Sequence, residues 1–144
     1  MSEPGHPSTS AEQQTAEALI RSALSRQLAV SFSAPPASLA GLKLDAFATG
    51  PPPVLVEIFA RVGKSKSGQM RKLSRDMAKL LLAERRLAKA CRKVLAVIDP
   101  DAVAHFENGW DGEFAKTFGI ELVVVAVDEG VRSGILAAQK RQFR

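Results

Sequence analysis

Two carboxylates stand in company that carboxylates usually avoid. Glu57 lies inside the run Val54-Leu-Val-Glu-Ile-Phe-Ala, which otherwise has the apolar character of a buried strand. An ionised carboxylate is costly to bury without a cation or strong donors beside it. Asp45 precedes it by twelve residues, across the turn made by Gly50 and prolines 51 to 53. An antiparallel hairpin would bring the two acids together at one end of a sheet. Adjacent carboxylates repel, and a hard divalent cation such as Mg²⁺ (or Mn²⁺) relieves that repulsion. Such a metal polarises a phosphodiester and activates water. The plainer alternative pairs Glu57 with Arg61 or a helix lysine and leaves Asp45 on a solvated edge.

The charge distribution points to a polyanionic partner. The chain has 144 residues and a formal charge of +5. Between Gly63 and Lys93 eleven basic side chains face only Asp76 and Glu84, a net +9, so the remainder carries −4. A concentrated basic segment is the electrostatic footprint of a nucleic-acid surface. A solvated helix face that keeps the protein soluble is the competing explanation.

The elements that must position these residues follow from periodicity and turn residues. Ala16, Leu19, Ile20, Ala23, Leu24 and Leu28 recur at helical spacing, so the sequence predicts a helix from Ser10, as N-cap, to Ala29. Leu42, Leu44 and Ala46 alternate with Lys43, Asp45 and Phe47 and predict a strand whose length the pattern does not fix. Val54 to Val62 is the next strand, completing a hairpin. Gly63 to Gly68 is a flexible basic connection. A long helix follows from Ser67 to Lys89, with Met70, Leu73, Met77, Leu80, Leu81 and Leu87 on its apolar face. Val94 to Ile98 is a short strand of the kind buried on both faces. Asp99-Pro-Asp101 starts a helix that carries Val103, Phe106, Trp110 and Phe114 into the core and ends at Gly119. Leu122 to Val127 is a last apolar strand. The stretch from Asp128 to Arg144 has no clear assignment. The whole is one α/β domain over 10–138, with a disordered polar lead-in at 1–9 and a basic tail at 139–144. The order helix, hairpin, helix, strand, helix, strand implies a mixed sheet with helices on both faces.

Other function classes lack support. No apolar run reaches the roughly 20 residues needed to cross a bilayer, and the polar first residues show no secretory signal. One cysteine, Cys91, allows no internal disulfide and no cysteine-based metal site. A cytoplasmic home is the default, with no membrane partner, and a homodimer stays open.

Asp45, a turn, Leu55-Val-Glu57-Ile-Phe59, a basic loop and a helix with Gln69 near its start together resemble the PD-(D/E)XK nuclease family, from about Glu12 to Val97. The resemblance implies the restriction-endonuclease-like fold, a three-layer α/β/α architecture around a mixed sheet, and Mg²⁺-dependent phosphodiester hydrolysis on nucleic acid, DNA in the first instance. Carried over position by position, Glu17 (or Glu12) matches the acid of the first helix. Asp45 matches the first strand acid, Glu57 the acid of the (D/E)-x-K tripeptide, and Gln69 the polar residue at the helix start. Asp45 and Glu57 would hold the metal. Lys64, Lys66, Arg71, Arg75 and Lys79 would engage phosphates.

One departure is specific. The motif lysine falls at position 59, where this chain has Phe59, and Leu44 replaces the proline before Asp45. Two residues offer a rescue. Arg61 would share the strand face of Glu57 and Phe59, although guanidinium is a poor proton carrier. Lys72 would reach in from the helix, a migrated lysine of the kind this superfamily uses. Lys72, Asp76 and Lys79 also fit an ordinary ion-pair ladder at i, i+4 and i+7. Without a rescue, the chain would be a catalytically inactive nucleic-acid-binding or protein-interaction module. Gly63-Lys-Ser is not a phosphate loop, because Ile58 stands where that motif needs glycine. His105 is expected on a helix surface, and Cys91 as a small filler at a helix–strand junction.

Overall fold

The computed structural model describes residues 7–142, and the side chains of residues 15–141. Four strands form one sheet in the order β1 (Ala46–Ala48), β2 (Val54–Phe59), β3 (Arg92–Val97) and β4 (Ile120–Val124). β1 runs antiparallel to β2, with Phe47 opposite Leu55, while β2, β3 and β4 are parallel. The expected mixed sheet and its hairpin are therefore present. At the turn, Gly50 has φ +73°, and a Cβ there would lie 1.9 Å from the Pro52 carbonyl oxygen, so only glycine fits.

Both faces of the sheet are covered, as a strand run buried on two sides requires. Leu55, Phe59, Leu95 and Val97 pack on one face against Leu73, Met77 and Leu80 of α2 (Ser67–Leu87). Val54, Val56, Ile58, Val94 and Ala96 pack on the other against Ile20 and Leu24 of α1 (Pro7–Leu28) and Ile135 of α4 (Glu129–Gln142). The architecture is α/β in three layers. No helix among the described residues is long and apolar enough to cross a membrane.

Several boundaries differ from those expected. α1 starts at Pro7, not at a Ser10 cap, in keeping with the tolerance of a first helical turn for proline, which lacks the N–H that would be unpaired there. The strand expected around Leu42 to Ala46 begins only at Ala46, because Lys43 adopts φ +55° and breaks the extended path. Leu42 and Leu44 still pack on the core from the loop. β2 stops at Phe59 rather than Val62. The helix expected to start at Asp99-Pro-Asp101 and end at Gly119 is two pieces, a 3₁₀ segment (Pro100–Glu107) and α3 (Trp110–Thr117), separated at Asn108–Gly109. Trp110 is not a core residue: it is 67% exposed, because α3 turns Asp111, Gly112 and Ala115 inward instead. Gly112 lies so close to the 3₁₀ segment that a Cβ would come within 2.0 Å of the Phe106 carbonyl oxygen. The last strand is an edge, with Leu122 and Val124 exposed, so apolar composition alone misstated its burial. The unassigned stretch after Asp128 is α4, an amphipathic helix that closes the second face and includes residues 139–142 of the expected basic tail. Residues 1–6 of the expected lead-in lie outside the described residues.

The basic connection after β2, expected to be flexible, is pinned by three side chains. Gln139 of α4 accepts from the Val62 N–H at 2.9 Å and donates to its carbonyl at 3.0 Å. The Gly63 N–H donates to Asp99 Oδ2 at 2.8 Å, and the Ser65 hydroxyl to the Ala102 carbonyl at 2.7 Å. These bonds fix the entry into α2 and so the angle at which its lysines approach the sheet.

Candidate functional site

The hairpin brings the two expected carboxylates together. Glu57 sits mid-strand in β2, 1% exposed, on the face turned to α2. Asp45 immediately precedes β1. Its backbone N–H donates to Glu57 Oε2 at 2.9 Å and to the Val56 carbonyl at 3.1 Å. In return the Ile58 N–H donates to Asp45 Oδ2 at 2.7 Å. Each acid is thus clamped by backbone of the other's strand, which fixes the pair without a third element.

The second oxygen of Glu57 is spoken for. Lys79 of α2 places its ammonium 2.6 Å from Oε1. Even so, burial and then the charge of Asp45 push the Glu57 carboxyl up to about 7, outweighing the lysine and the Asp45 amide. Burial also raises Asp45, against the opposing pull of the Ile58 amide and of Lys72 and Lys79. Both acids resist ionisation chiefly because they are buried, even with Lys72 and Lys79 nearby. Lys79, expected to engage phosphate, is engaged inside the fold.

Lys72 lies one helical turn before Asp76 and pairs with it at 2.8 Å. Of the ladder Lys72–Asp76–Lys79, only this first rung forms, because Glu57 draws Lys79 away. The Lys72 ammonium also stands 5.8 Å from the centre of the Phe59 ring, in cation–π range. Burial works against its charge, but Asp76 and then the fields of Asp45 and Glu57 hold its pKa above the ordinary lysine value. A lysine from α2 therefore lies over Phe59, the position where the resemblance leads one to expect a lysine.

Two clefts meet at Lys72. One, of about 690 Å³, is lined by Asp45, Glu57, Asp76 and Lys79, with Arg75 at its edge. The other, of about 300 Å³, opens where β2 ends between α1, α2 and α4, and holds Glu17, Phe59, Arg61 and Gln69. The parallel strands end here, the usual place for ligands in open α/β sheets. Glu17 is raised by burial and then by Asp45, while Arg21 and Lys72 oppose, so its field reaches the acid pair. The side chain of Glu12 lies outside the described residues.

Arg61 is not on the strand face of Glu57. β2 ends two residues before it, the alternation lapses, and Arg61 lines the smaller cleft, its Nε donating to the Lys64 carbonyl at 3.3 Å. Gln69 is partly committed to structure, since its Oε1 accepts from the Lys66 N–H at the start of α2. Lys64 and Lys66 lie exposed on the pinned connection, and Arg71 and Arg75 exposed on α2. Sequence reasoning missed Gln139, whose two bonds to Val62 shape the smaller cleft. Lone glutamines in helices are ordinary, and only their reach across 77 residues distinguishes this one. His105, expected on a surface, is partly buried: it packs edge-on to Phe106, and its Nε2 lies 3.3 Å from Asp111 Oδ2. Cys91 stands at the α2–β3 junction as expected, and burial and the Glu84 charge raise its thiol, which makes it a poor nucleophile.

Among the described residues no group of three or more His, Cys, Asp or Glu side chains is placed to hold a metal. A cation would rest on Asp45 and Glu57 alone. Two hard carboxylates suffice for Mg²⁺, which keeps several waters and takes further oxygens from a substrate phosphate. The donor set therefore fits such an ion, with one condition: the Lys79 ammonium occupies the Glu57 oxygen that the ion would need. No family model, curated protein or solved structure matches the chain.

Proposed function

We propose that this chain is a PD-(D/E)XK-like protein of the restriction-endonuclease-like fold that binds DNA along α2 and hydrolyses its phosphodiesters with Mg²⁺ or Mn²⁺ at Asp45 and Glu57. One observation carries the reading: the Lys72 ammonium lies over the Phe59 ring, beside two clamped carboxylates that both resist ionisation. The bound metal would supply electrophilic activation of a phosphate oxygen and of water.

The remaining roles belong to the chain itself. Lys72 would steady charge on the scissile phosphate, with its position set by Asp76 and by the Phe59 ring. Arg71, Arg75, Lys64 and Lys66 would hold flanking phosphates, a contact that weakens with salt. Arg61 and Gln69 line the adjoining cleft where a strand of the substrate would leave, with Glu17 on its wall.

A second reading, an inactive binding module on the same scaffold, draws on the Glu57–Lys79 contact, which already gives Glu57 a counter-cation within the fold. The two readings separate in one experiment on the full chain. DNA binding at low salt with Mg²⁺- or Mn²⁺-dependent cleavage, lost in Glu57→Gln and Asp45→Asn, supports the nuclease. Binding without cleavage supports the module. Absence of binding at low salt overturns both.

A further inference from the structure

We infer that Lys79 is a built-in counter-cation for Glu57, which a divalent ion must displace before it can bind. The inference rests on the metal-site reading above and deepens it. Lys79 Nζ lies 2.6 Å from Glu57 Oε1, while Oε2 is held by the Asp45 amide. Both oxygens of the carboxylate thus already carry a donor, and of the two only the lysine is a mobile one. An ammonium and a divalent ion on one buried carboxylate repel each other, so each weakens the other's hold.

Lys79 is able to leave. Its side chain is 24% exposed and lines the open 690 Å³ cleft, and its other contact, to the Lys43 carbonyl, is long at 3.4 Å. Glu57 has no such freedom, since it is fixed in mid-strand and 1% exposed. The ammonium therefore moves and the carboxylate stays. By linkage, whatever Lys79 gives to the metal-free fold it takes from metal affinity. The metal-free protein is thereby spared two facing carboxylates without a cation. A phosphate arriving along α2 is the natural acceptor for the displaced ammonium.

The test uses Mn²⁺ alone as the probe, followed by electron paramagnetic resonance on the full chain at one fixed pH for all variants. Lys79→Gln is expected to bind Mn²⁺ about tenfold more tightly than the wild type, a coupling of ordinary size. It is also expected to melt lower without metal and to regain more of its stability when Mn²⁺ is added. Lys79→Arg, which keeps the cation, should bind as weakly as the wild type, and Glu57→Gln should abolish binding in every background. A wild-type readout needs no variant: acylation of Lys79, followed by mass spectrometry, should rise several-fold on adding Mn²⁺ while that of Lys93 stays constant. Equal Mn²⁺ affinity in wild type and Lys79→Gln, with Glu57→Gln still abolishing it, overturns the displacement and leaves the metal site standing. Lys79 acylation indifferent to bound Mn²⁺ does the same. Absence of Mn²⁺ binding in all forms overturns the metal site together with this inference.

Discussion

Helix α2 supplies one partner to each of two glutamate–lysine pairs, and they behave in opposite ways. Glu84, near its C-terminal end, holds Lys93 of β3 through both oxygens at 2.8 Å and accepts the Cys91 N–H at 2.9 Å. Burial opposes its ionisation, but Lys93 and that amide prevail, and its pKa falls below the ordinary carboxylate value. Lys79, two turns before the helix end, faces Glu57 at the shorter distance of 2.6 Å, yet Glu57 rises to about 7. Distance does not separate them; surroundings do. Glu84 is partly solvated, its side chain 27% exposed, with no acid beside it, whereas Glu57 is fully buried next to Asp45. One pair fastens a helix to a strand. The other holds a buried carboxyl raised against its lysine, on the wall of a cleft, an arrangement that is common at functional sites.

The largest break in this comparison should come from Lys79→Ala. It strands Glu57 as a buried charge, and removing one partner of such a pair costs about 3–5 kcal/mol. Denaturant unfolding at alkaline pH should register that loss, with a smaller one at neutral and acid pH, where a Glu57 without its lysine holds the proton. Lys93→Ala should cost less, because the Glu84 left behind is partly solvated and keeps the Cys91 amide, although the Lys93 side chain is itself buried. Equal losses from the two substitutions would erase the distinction.

The pH dependence sharpens it further. Glu57 has a folded value of about 7 against 4.5 for an ordinary glutamate. Between those two values the native state holds the proton and the unfolded state has lost it, so stability falls as pH rises through this window and is level above it. Glu57→Gln should remove that slope. Glu84 acts with the opposite sign: its stabilisation is present above 4.5 and is lost as pH falls below that value. Glu84→Gln should therefore lower stability at neutral pH and leave it nearly unchanged in acid. Unfolding curves across pH for the two variants check both signs. The smallest effect concerns binding alone. Arg75→Ala should reduce the slope of log affinity against log salt by about 0.9, one phosphate contact, without changing the acid pair.

The acid pair was legible in the sequence because Glu57 contradicts its neighbours. A charge inside Val54–Ala60 demands a partner, and the proline turn points to Asp45. The α/β class and the hairpin were legible from the same apolar runs. Lys79 was counted with the phosphate contacts because helical spacing shows which residues share a face, not how close a strand passes beneath. Arg61 was placed by strand alternation, which fails once β2 ends at Phe59. α4 and the clamp by Gln139 escaped because a weakly amphipathic helix rich in small residues resembles a tail. An unbroken helix would carry Trp110 into the core, whereas the break at Asn108–Gly109 resets the helical phase and turns the ring outward.

Cleavage by Lys72→Met, measured beside its DNA affinity, tests the central claim most directly. With Mn²⁺ present, the wild type should cut DNA, and the variant should lose on the order of a hundredfold or more in rate, as for removal of one charge-stabilising donor. Its affinity at moderate salt should fall only by the few-fold that one lost phosphate contact allows. Cleavage undiminished in Lys72→Met, or absent from the wild type with DNA fully bound, would contradict the claim that this lysine stands in for the one missing at Phe59.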